Sequence, residues 1–431
     1  MKPEHLVAPA MAFPEHGRPR DDILRELRAL KAGDVHWQGG RSPAFVFKAS
    51  DEVDALGRDA FVEYFTENAL GAGSAFPSVR QLEQQVVAMA LSLLHAPDGA
   101  AGFMSTGGSE SILLAVQACR RSERQRRGQP QHHGNIVAPE TLHPAFDKAA
   151  ALMDLPIRRV PVGADLRADV AAMADAIDHD TILLVGSAPN FPYGMVDPIE
   201  ALSRIALDRG VWLHVDACVG GYLAPFARQL GRPVPDFDFA LPGVRSISAD
   251  LHKYGFCPKP ASTVLYRRAE DAACQPFSFD TWPAGRFVTS TAVGSRPAGG
   301  VAAAWAVLQH LGAEGYRRTA AELLAGVDRY QAGVRAIAGL HIVGQPDLGI
   351  VAWGSDVVDP YAVARRLAAK GWLPSLLKRP RAVHRMMSML HVDTLDAYLA
   401  DLRQAVADTR AGSAGPGGPD TGGPALTARY S

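Results

Sequence analysis

The sequence predicts an α/β protein with a large, mostly parallel sheet and a smaller C-terminal α+β domain. Short strand-like runs that are apolar throughout indicate a sheet buried on both faces. Helical stretches separate these runs, as crossovers between parallel strands require. Beyond residue 299 the pattern changes to long helices and scattered apolar runs. We therefore expect an N-terminal segment at residues 1–75, a large domain at 76–298, a small domain at 299–410 and a disordered tail at 411–431.

The predicted helices and strands can be justified one by one from the sequence, in their order along the chain. Helices are predicted at residues 80–96, where Leu82, Val86 and Leu93 share one stripe, and at 109–127, after a Gly-Gly-Ser turn. Strand-like runs follow at residues 136–138, 157–160, 181–186, 211–215, 246–249 and 263–267, with helical patterns at 145–154, 169–177 and 199–209. The small domain is expected to hold helices at 301–312, 314–338, 360–371 and 394–409, with further apolar runs at 348–353 and 385–391.

Composition excludes several classes of protein. Apolar residues make up 47% and charged residues 21%, which excludes wholesale disorder and collagen-like structure. With 44 Lys+Arg against 45 Asp+Glu, the net charge of −1 creates no field that would recruit nucleic acid. The four cysteines form no CxxC pair, so we expect neither a zinc site nor disulfides. Without a signal-peptide pattern or a run of about 18 apolar residues, a soluble cytoplasmic protein without a membrane anchor is expected.

Common catalytic motifs are missing from the sequence. It contains no GxGxxG, GxxxxGK[ST], HExxH or GxSxG pattern, which weakens Rossmann, P-loop, zinc-protease and α/β-hydrolase interpretations. Three other segments carry residues that could bind a cofactor or take part in catalysis. Their order along the chain is more specific than any one of them.

The first segment, STGGSES at residues 105–111, precedes a strong helix. Gly107 and Gly108 allow a tight turn, and the free N–H groups at a helix N-terminus can bind an anion with help from the Ser109 hydroxyl. An ordinary helix cap explains the same residues equally simply, because every helix start offers such N–H groups.

The second segment ends an apolar strand with Asp216. Ligands bind at the carboxyl ends of strands in open α/β sheets, and an Asp there can keep a pyridinium nitrogen protonated. On this motif alone, a carboxylate that caps the following loop is the simpler explanation.

The third segment, at residues 246–255, places His252 and Lys253 after another strand. A lysine at such a position can form a Schiff base when burial lowers its pKa. An isolated His-Lys pair is weak evidence, since lysines are usually solvated.

Taken together, these segments resemble pyridoxal-phosphate enzymes of fold type I in the group II decarboxylase superfamily, and within it the branch of the sphingosine-1-phosphate lyases. The similarity extends over roughly residues 34–391. It is carried by STGGSESILLA (105–115), VAPETLHPAFDKAA (137–150), LHVDACVGGYL (213–223), SISADLHKYGFCPK (246–259) and GSRPAGG (294–300). The resemblance implies an aspartate-aminotransferase-like fold and pyridoxal 5′-phosphate as cofactor, with no metal.

The resemblance also implies roles for individual residues. Lys253 would bind the cofactor covalently, Asp216 would pair with the pyridine nitrogen, and His143 would stack on the ring. The cofactor phosphate would be held by a group of small and polar residues, Gly107, Gly108, Ser109, Ser248 and His252, with Gly294 and Ser295 supplied by the partner subunit of a homodimer with shared active sites.

Other positions bear on the substrate. Lys259 matches a lysine that meets the substrate's phosphate in the lyases. Phe47, Gly71 and Phe287 stand at or near positions where those lyases have tyrosine, histidine and tyrosine, so hydrogen-bond donors to a phosphate are missing. Arg381 and Arg385 belong to a basic run that could replace them, although a solvated basic edge is an equally good explanation.

The favoured hypothesis is a carbon–carbon lyase that cleaves an amino alcohol, or a phosphorylated one, by a retro-aldol reaction. Lys253, His143 or Tyr193 could act as acid or base, and the sequence does not choose between them. The alternative is an amino-acid α-decarboxylase on the same scaffold. A non-catalytic relative is a third possibility, against which the intact Lys253 and Asp216 argue. In each enzymatic case the partner is a small-molecule amine.

Overall fold

The computed structural model describes residues 11–412, and the chain divides into two compact units with the boundary between His36 and Trp37. The first unit contains helix α1 (Arg20–Lys31), in which no residue is buried. Its first turn carries Asp21 and Asp22 and its last turn Arg28 and Lys31, which complements the helix dipole. All that follows concerns the second unit. Of the tail predicted at 411–431, residues 413–431 lie outside the described part of the chain.

A seven-stranded sheet forms the centre of the second unit. Its strands are β1 (Ala101–Ser105), β2 (Asn135–Pro139), β3 (Ile157–Val160), β4 (Thr181–Ser187), β5 (Trp212–Asp216), β6 (Val244–Ala249) and β7 (Ser262–Tyr266). They are ordered β1-β7-β6-β5-β4-β2-β3. The pairs from β6 through β3 are parallel, whereas β7 runs antiparallel to both β1 and β6. The mostly parallel sheet expected from the apolar runs is therefore confirmed.

Helices precede, separate and follow these strands along the chain. They are α2 (Asp51–Glu63), α3 (Pro77–Leu93), α4 (Gly108–Arg127), α5 (Ala145–Met153), α6 (Val170–Asp175), α7 (Ile199–Arg209), α8 (Ala224–Gln229) and α9 (Ala269–Ala273). Every residue of β2, β4 and β5 is buried. This explains why these strands show no alternation of polar and apolar residues.

A second sheet follows near the C-terminus. A small hairpin of β8 (Phe277–Phe279) and β9 (Phe287–Thr289) precedes the long helix α10 (Gly299–Arg335). The next elements are β10 (Leu340–Ile342), β11 (Ile350–Ser355), α11 (Pro360–Ala369), β12 (Ser375–Lys378), β13 (Arg381–Met386), α12 (Met389–Asp393) and α13 (Leu395–Arg410). The four strands form an antiparallel sheet in the order β10-β11-β13-β12. Helix α10 begins where the sequence predicts a boundary between a large and a small domain. Residues 37–412 nevertheless belong to one compact unit, so this division stays a prediction.

The two helices predicted at 301–312 and 314–338 are separated at Gly312, whose φ of 51° and ψ of −177° break the helical geometry of α10. Other elements differ from the sequence-based expectation. Strand β1 was not predicted, because AGFMS is short and contains a glycine; pairing with β7 holds it in place. Among the described residues, no helix combines the length and the apolar character that a membrane span needs.

Candidate active site

The carboxyl ends of the parallel strands surround a cavity of about 340 Å³. This is the edge of an open α/β sheet where ligands bind, because the loops that leave the strands diverge there. The cavity is lined by Thr106, Gly107, Gly108, Ser109, Glu110, Ile112, His143, Ser187, Pro189, Phe191, Asp216, Cys218, Val219, Asp250, His252 and Lys253. Three sequence segments that lie far apart along the chain therefore meet at one place.

Space is tight at the two glycines where α4 begins, most of all at Gly108. A Cβ at Gly108 would lie 2.8 Å from Asp250 Oδ2 and 2.8 Å from Cys218 Sγ, and a Cβ at Gly107 would lie 3.3 Å from His252 Cε1. Glycine therefore lets the start of this 20-residue helix approach the strand ends closely. Gly107, Gly108 and Ser109 line the cavity. Because the first N–H groups of a helix can bind an anion, this helix start is a candidate cradle for one.

Glu110 holds this cradle in place. One of its carboxylate oxygens accepts hydrogen bonds from the backbone N and the hydroxyl of Thr106, both at 2.7 Å. The other accepts from the backbone N of Ala292 at 2.8 Å. Sequence reasoning did not single out Glu110, although an acidic residue in the first turn of a helix is a recognisable signal.

Lys253 and Asp250 form a buried ion pair beside the cradle. Lys253 Nζ lies 2.8 Å from Asp250 Oδ2, and His252 Nε2 lies 3.6 Å from the same oxygen. Burial raises the pKa of Asp250, but the charges of Lys253 and His252 more than offset this, and the pKa of that carboxyl falls below its usual value. Asp250 was not among the predicted site residues, although its spacing of three from Lys253 places both on one turn.

Asp216 ends β5 and is 8% exposed at the cavity wall. Its Oδ1 accepts hydrogen bonds from the backbone N of Cys218 at 3.1 Å and from Ser248 Oγ at 3.4 Å. Ser248, expected near a phosphate, lies behind Asp216 and does not line the cavity. A buried carboxylate held by two donors can face a cationic ring nitrogen.

His143 approaches the cavity from the start of α5. Its Nδ1 accepts a hydrogen bond from the backbone N of Ala145 at 3.1 Å, which orients the ring. The ring stands edge-on to Phe191, with 6.2 Å between the ring centroids. Burial lowers the pKa of His143, so the imidazole is largely neutral near pH 7.

Tyr193 lies away from the cavity lining. Its hydroxyl donates a hydrogen bond to the backbone oxygen of Arg379 at 2.6 Å, and burial raises its pKa. The structure therefore brings together two of the three predicted acid–base candidates, His143 and Lys253, and leaves Tyr193 outside.

Lys259 and Phe47 lie near Lys253 but do not line the cavity. Lys259 Nζ donates to the backbone oxygen of Phe45 at 2.9 Å. Burial and the charge of Lys253 both lower its pKa. Phe47 packs edge-on against Tyr254, with 5.0 Å between the ring centroids.

The basic residues of β13 point elsewhere. Arg381 pairs with Asp359 at 2.8 Å on the surface and stacks over Tyr361. Arg385 is buried, with its guanidinium 3.9 Å from the ring centroid of Tyr398. Neither residue lines the cavity.

Gly294 and Ser295 are also absent from the cavity lining of their own chain. Ser295 Oγ accepts a hydrogen bond from Asn68 Nδ2 at 2.9 Å. The neighbouring Arg296 makes a two-point ion pair with Glu83 at 2.9 and 3.0 Å. These contacts fix the loop on the body of its own chain.

The donor set of the cavity fits pyridoxal phosphate. An anion cradle that a Cβ would fill, a lysine able to form a covalent bond, and a buried carboxylate stand around one space. The described residues contain no cluster of three His, Cys, Asp or Glu side chains that could hold a metal ion.

Comparison with known proteins gives a consistent result. Residues 3–354 match the pyridoxal-dependent decarboxylase conserved domain. Sphingosine-1-phosphate lyase of Arabidopsis thaliana is 40% identical over 409 residues, covering 93% of this chain and 74% of the relative. A probable L-tyrosine/L-aspartate decarboxylase of Methanothermobacter thermautotrophicus is 36% identical over 340 residues, covering 78% of this chain and 91% of the relative. The solved structure of a Burkholderia pseudomallei sphingosine-1-phosphate lyase is 37% identical, covers 96% of each chain and superposes with a TM-score of 0.89.

Proposed function

Because the chain belongs to the pyridoxal-dependent decarboxylase family, we propose that it is a pyridoxal-phosphate-dependent lyase that cleaves a carbon–carbon bond of a phosphorylated amino alcohol. Its similarity to sphingosine-1-phosphate lyases over nearly the whole chain supports this reaction. The observation that carries the proposal is the meeting of Lys253, Asp216 and the Gly107–Gly108 cradle around one cavity.

Each group around the cavity has a distinct role in this proposal. Gly107, Gly108 and Ser109 would hold the cofactor phosphate at the start of α4, Lys253 would bind the cofactor covalently, and Asp216 would face its ring nitrogen. His143 would lie against the ring face. When bound, pyridoxal phosphate accepts the electrons left at the substrate's α-carbon as the bond breaks.

The retro-aldol reaction needs a base for the proton of the substrate's β-hydroxyl group. His143 lines the cavity, and its lowered pKa leaves it neutral and able to accept a proton. Lys253 also lines the cavity, and Asp250 beside it stabilises the protonated amine. These contacts favour His143 or Lys253 over Tyr193, whose hydroxyl is engaged by a backbone oxygen outside the cavity.

Lys259 is the cation proposed for the substrate's phosphate. Its amine is held by the backbone oxygen of Phe45, close enough to Lys253 for their charges to interact. A bound phosphate would pair with this cation, since a lysine and a phosphate form strong charge-assisted hydrogen bonds.

We further propose a homodimer in which Gly294 and Ser295 reach the cavity of the partner subunit. Large apolar side chains lie on the surface of the β8–β9 hairpin and the loop after it, and a partner would cover them. They are Phe277, Phe279, Trp282, Val288 and Val293, which are 43–51% exposed. A cytoplasmic location is proposed as well, because all four cysteines are free and buried.

The experiment that tests the function is product analysis with sphingosine-1-phosphate. Release of a long-chain aldehyde together with a phosphorylated amine supports the proposal, and release of CO₂ from amino acids with no aldehyde would instead assign the decarboxylase alternative. The phosphate role is tested by Lys259→Ala, which should lower kcat/KM for the phosphorylated substrate about 10- to 100-fold, as expected for the loss of one charge-assisted hydrogen bond.

The matched control is Lys148→Ala on the exposed surface of α5, which should leave kcat/KM unchanged. A non-phosphorylated analogue gives the second control. If Lys259→Ala weakened both substrates equally, Lys259 would have no role in recognising phosphate.

A further inference from the structure

A line of polar side chains lies behind Asp216, in the interior of the sheet. Trp212, His214 and Asp216 alternate along β5 and therefore share one face of the strand. On β6, Ser246 pairs in register with His214 and Ser248 pairs with Asp216. Four of these residues are completely buried, and only Asp216 has access to the cavity.

The side chains connect through four contacts. Trp212 Nε1 donates to Ser246 Oγ at 2.7 Å, and Ser246 Oγ lies 2.8 Å from His214 Nδ1. On the other side of the ring, His214 Nε2 lies 3.2 Å from Ser248 Oγ, which donates to Asp216 Oδ1 at 3.4 Å. These hydrogen bonds connect the indole of Trp212 to the carboxylate of Asp216 without a gap.

The donor and acceptor properties of the side chains set the direction in which this series of hydrogen bonds donates. An indole N–H can only donate, so Ser246 Oγ accepts from Trp212 and its own proton goes to His214 Nδ1. A neutral imidazole then carries its proton on Nε2 and donates to Ser248, whose proton goes to Asp216. Every hydrogen bond points toward the carboxylate.

The reverse direction leaves a proton without an acceptor. If Asp216 were protonated and donated to Ser248, the imidazole would carry its proton on Nδ1 and donate to Ser246. Ser246 Oγ would then receive two donors, from His214 and Trp212, and its own proton would have no acceptor among the contacts of the described residues. An unsatisfied buried donor is costly, so the indole opposes this state.

We propose that Trp212, Ser246, His214 and Ser248 form a one-way hydrogen-bond relay that stabilises the charged form of Asp216, a proposal that rests on the proposed role of Asp216 at the cofactor's ring nitrogen. His214 is a positioning residue in this relay, since it acts through Ser248 and does not touch the cavity. Trp212 sets the direction of the relay although it lies four residues from Asp216.

The surroundings of His214 agree with a neutral ring. Burial lowers the pKa of His214 to about 4, and Asp216 is the charged group that opposes this shift. The ring of Phe146 stands edge-on, with 5.7 Å between the centroids. Cys218 Sγ also donates to Ser248 at 3.3 Å, which again leaves the hydroxyl proton of Ser248 for Asp216.

The direction of the relay can be read by ¹⁵N NMR of the full-length holoenzyme labelled on histidine. The His214 signal is assigned by its loss in His214→Leu, among 14 histidines in the chain. We expect neutral His214 with its proton on Nε2 near pH 7, and a mixture of tautomers in Trp212→Phe. A proton on Nδ1, or a doubly protonated ring, in the wild type would overturn the proposal.

Kinetics test whether the relay acts on Asp216. Ser246→Ala and Trp212→Phe keep His214 in place and should lower kcat about 2- to 10-fold, the range for a hydrogen bond between uncharged groups, with cofactor retention unchanged. Trp353→Phe is the matched control, because Trp353 is equally buried but outside the relay, and its kcat should stay at the wild-type value.

A double-mutant cycle separates a relay from simple packing. In an Asp216→Asn background, Ser246→Ala should cause no further loss of kcat, because the charge that it supports is gone. The same loss in both backgrounds would overturn the relay. Near-native turnover of Asp216→Asn alone would count against the proposed function instead, and the tautomer measurement would still report the direction of the relay.

Discussion

Lys253 Nζ lies 2.8 Å from Asp250 Oδ2, three residues earlier in the chain, at the carboxyl edge of the central sheet. The carboxylate of Asp250 is almost fully buried, and a Cβ on Gly108 would lie only 2.8 Å from its Oδ2. One carboxylate therefore links the lysine proposed to bind the cofactor to the cradle proposed for the cofactor's phosphate. The first predictions concern these groups.

Lys253→Ala should abolish the covalent attachment of pyridoxal phosphate. Borohydride reduction of the wild type should fix the cofactor to a single peptide that contains Lys253, whereas the variant should release all of it. Lys259→Ala is the matched control, since Lys259 is a neighbouring lysine whose charge interacts with that of Lys253, and it should keep the attachment. A labelled peptide elsewhere would contradict the assignment.

Asp216→Asn should lower turnover by about 100-fold or more, because a preorganised charge at the cofactor's ring nitrogen is lost. Cofactor retention should change little, since the cradle and Lys253 remain. Steady-state kinetics and absorbance of the bound cofactor measure the two effects separately. Near-native turnover would show that Asp216 does not face the ring nitrogen.

Gly108→Ala should weaken cofactor binding, because its Cβ would lie 2.8 Å from Asp250 Oδ2 and from Cys218 Sγ. The dissociation constant of pyridoxal phosphate can be measured by fluorescence titration. Gly73→Ala is the control, since a Cβ there meets nothing within 4 Å. Equal affinity in the two variants would exclude a tight cradle at Gly108.

Stability should fall as the pH drops below the ordinary histidine pKa. Burial lowers the pKa of His214 and of His384 to about 4, and burial together with Arg385 lowers that of His391 to about 3. Between about pH 6.5 and pH 4 the unfolded chain binds protons that the folded chain does not, so each histidine contributes stability at neutral pH that is lost with acid.

The size of this effect is on the order of 3 kcal/mol for each buried histidine. The free energy of unfolding in urea should therefore be clearly lower at about pH 5 than at about pH 7.5. His384→Gln should reduce this difference, whereas His179→Gln, at an 87% exposed side chain, should not. The same pH dependence in both variants would contradict the prediction.

Active sites shared between subunits should allow complementation. Mixing Lys253→Ala protein with a variant that replaces Ser295 by tryptophan should restore part of the activity, because a hybrid dimer contains one cavity with both positions intact. Sedimentation measures the oligomeric state in parallel. A fully active monomer would refute the shared site.

Much of the fold could be predicted from the sequence because its signals are local. Buried parallel strands such as β4 and β5 are apolar throughout, and the helices between them show a clear stripe. The three segments around Gly107, Asp216 and Lys253 could be recognised from their order along the chain. Strand β1 and the short strands of the hairpin could not, since pairing with neighbours and not local preference stabilises them.

The sequence by itself predicted the class of fold from its local patterns. Through the resemblance carried by several segments in their order along the chain, it also predicted the cofactor and the residues proposed to hold it. Only the tertiary structure decided that Asp250 pairs with Lys253 close to Gly108. It also decided that Tyr193 and Arg385 lie outside the cavity lining. The connection from Trp212 to Asp216 through His214 likewise appears only in the folded chain. Those relations depend on strand register and on the direction in which each side chain leaves its strand. Packing sets such distances across the sheet, and they cannot be predicted from local sequence patterns.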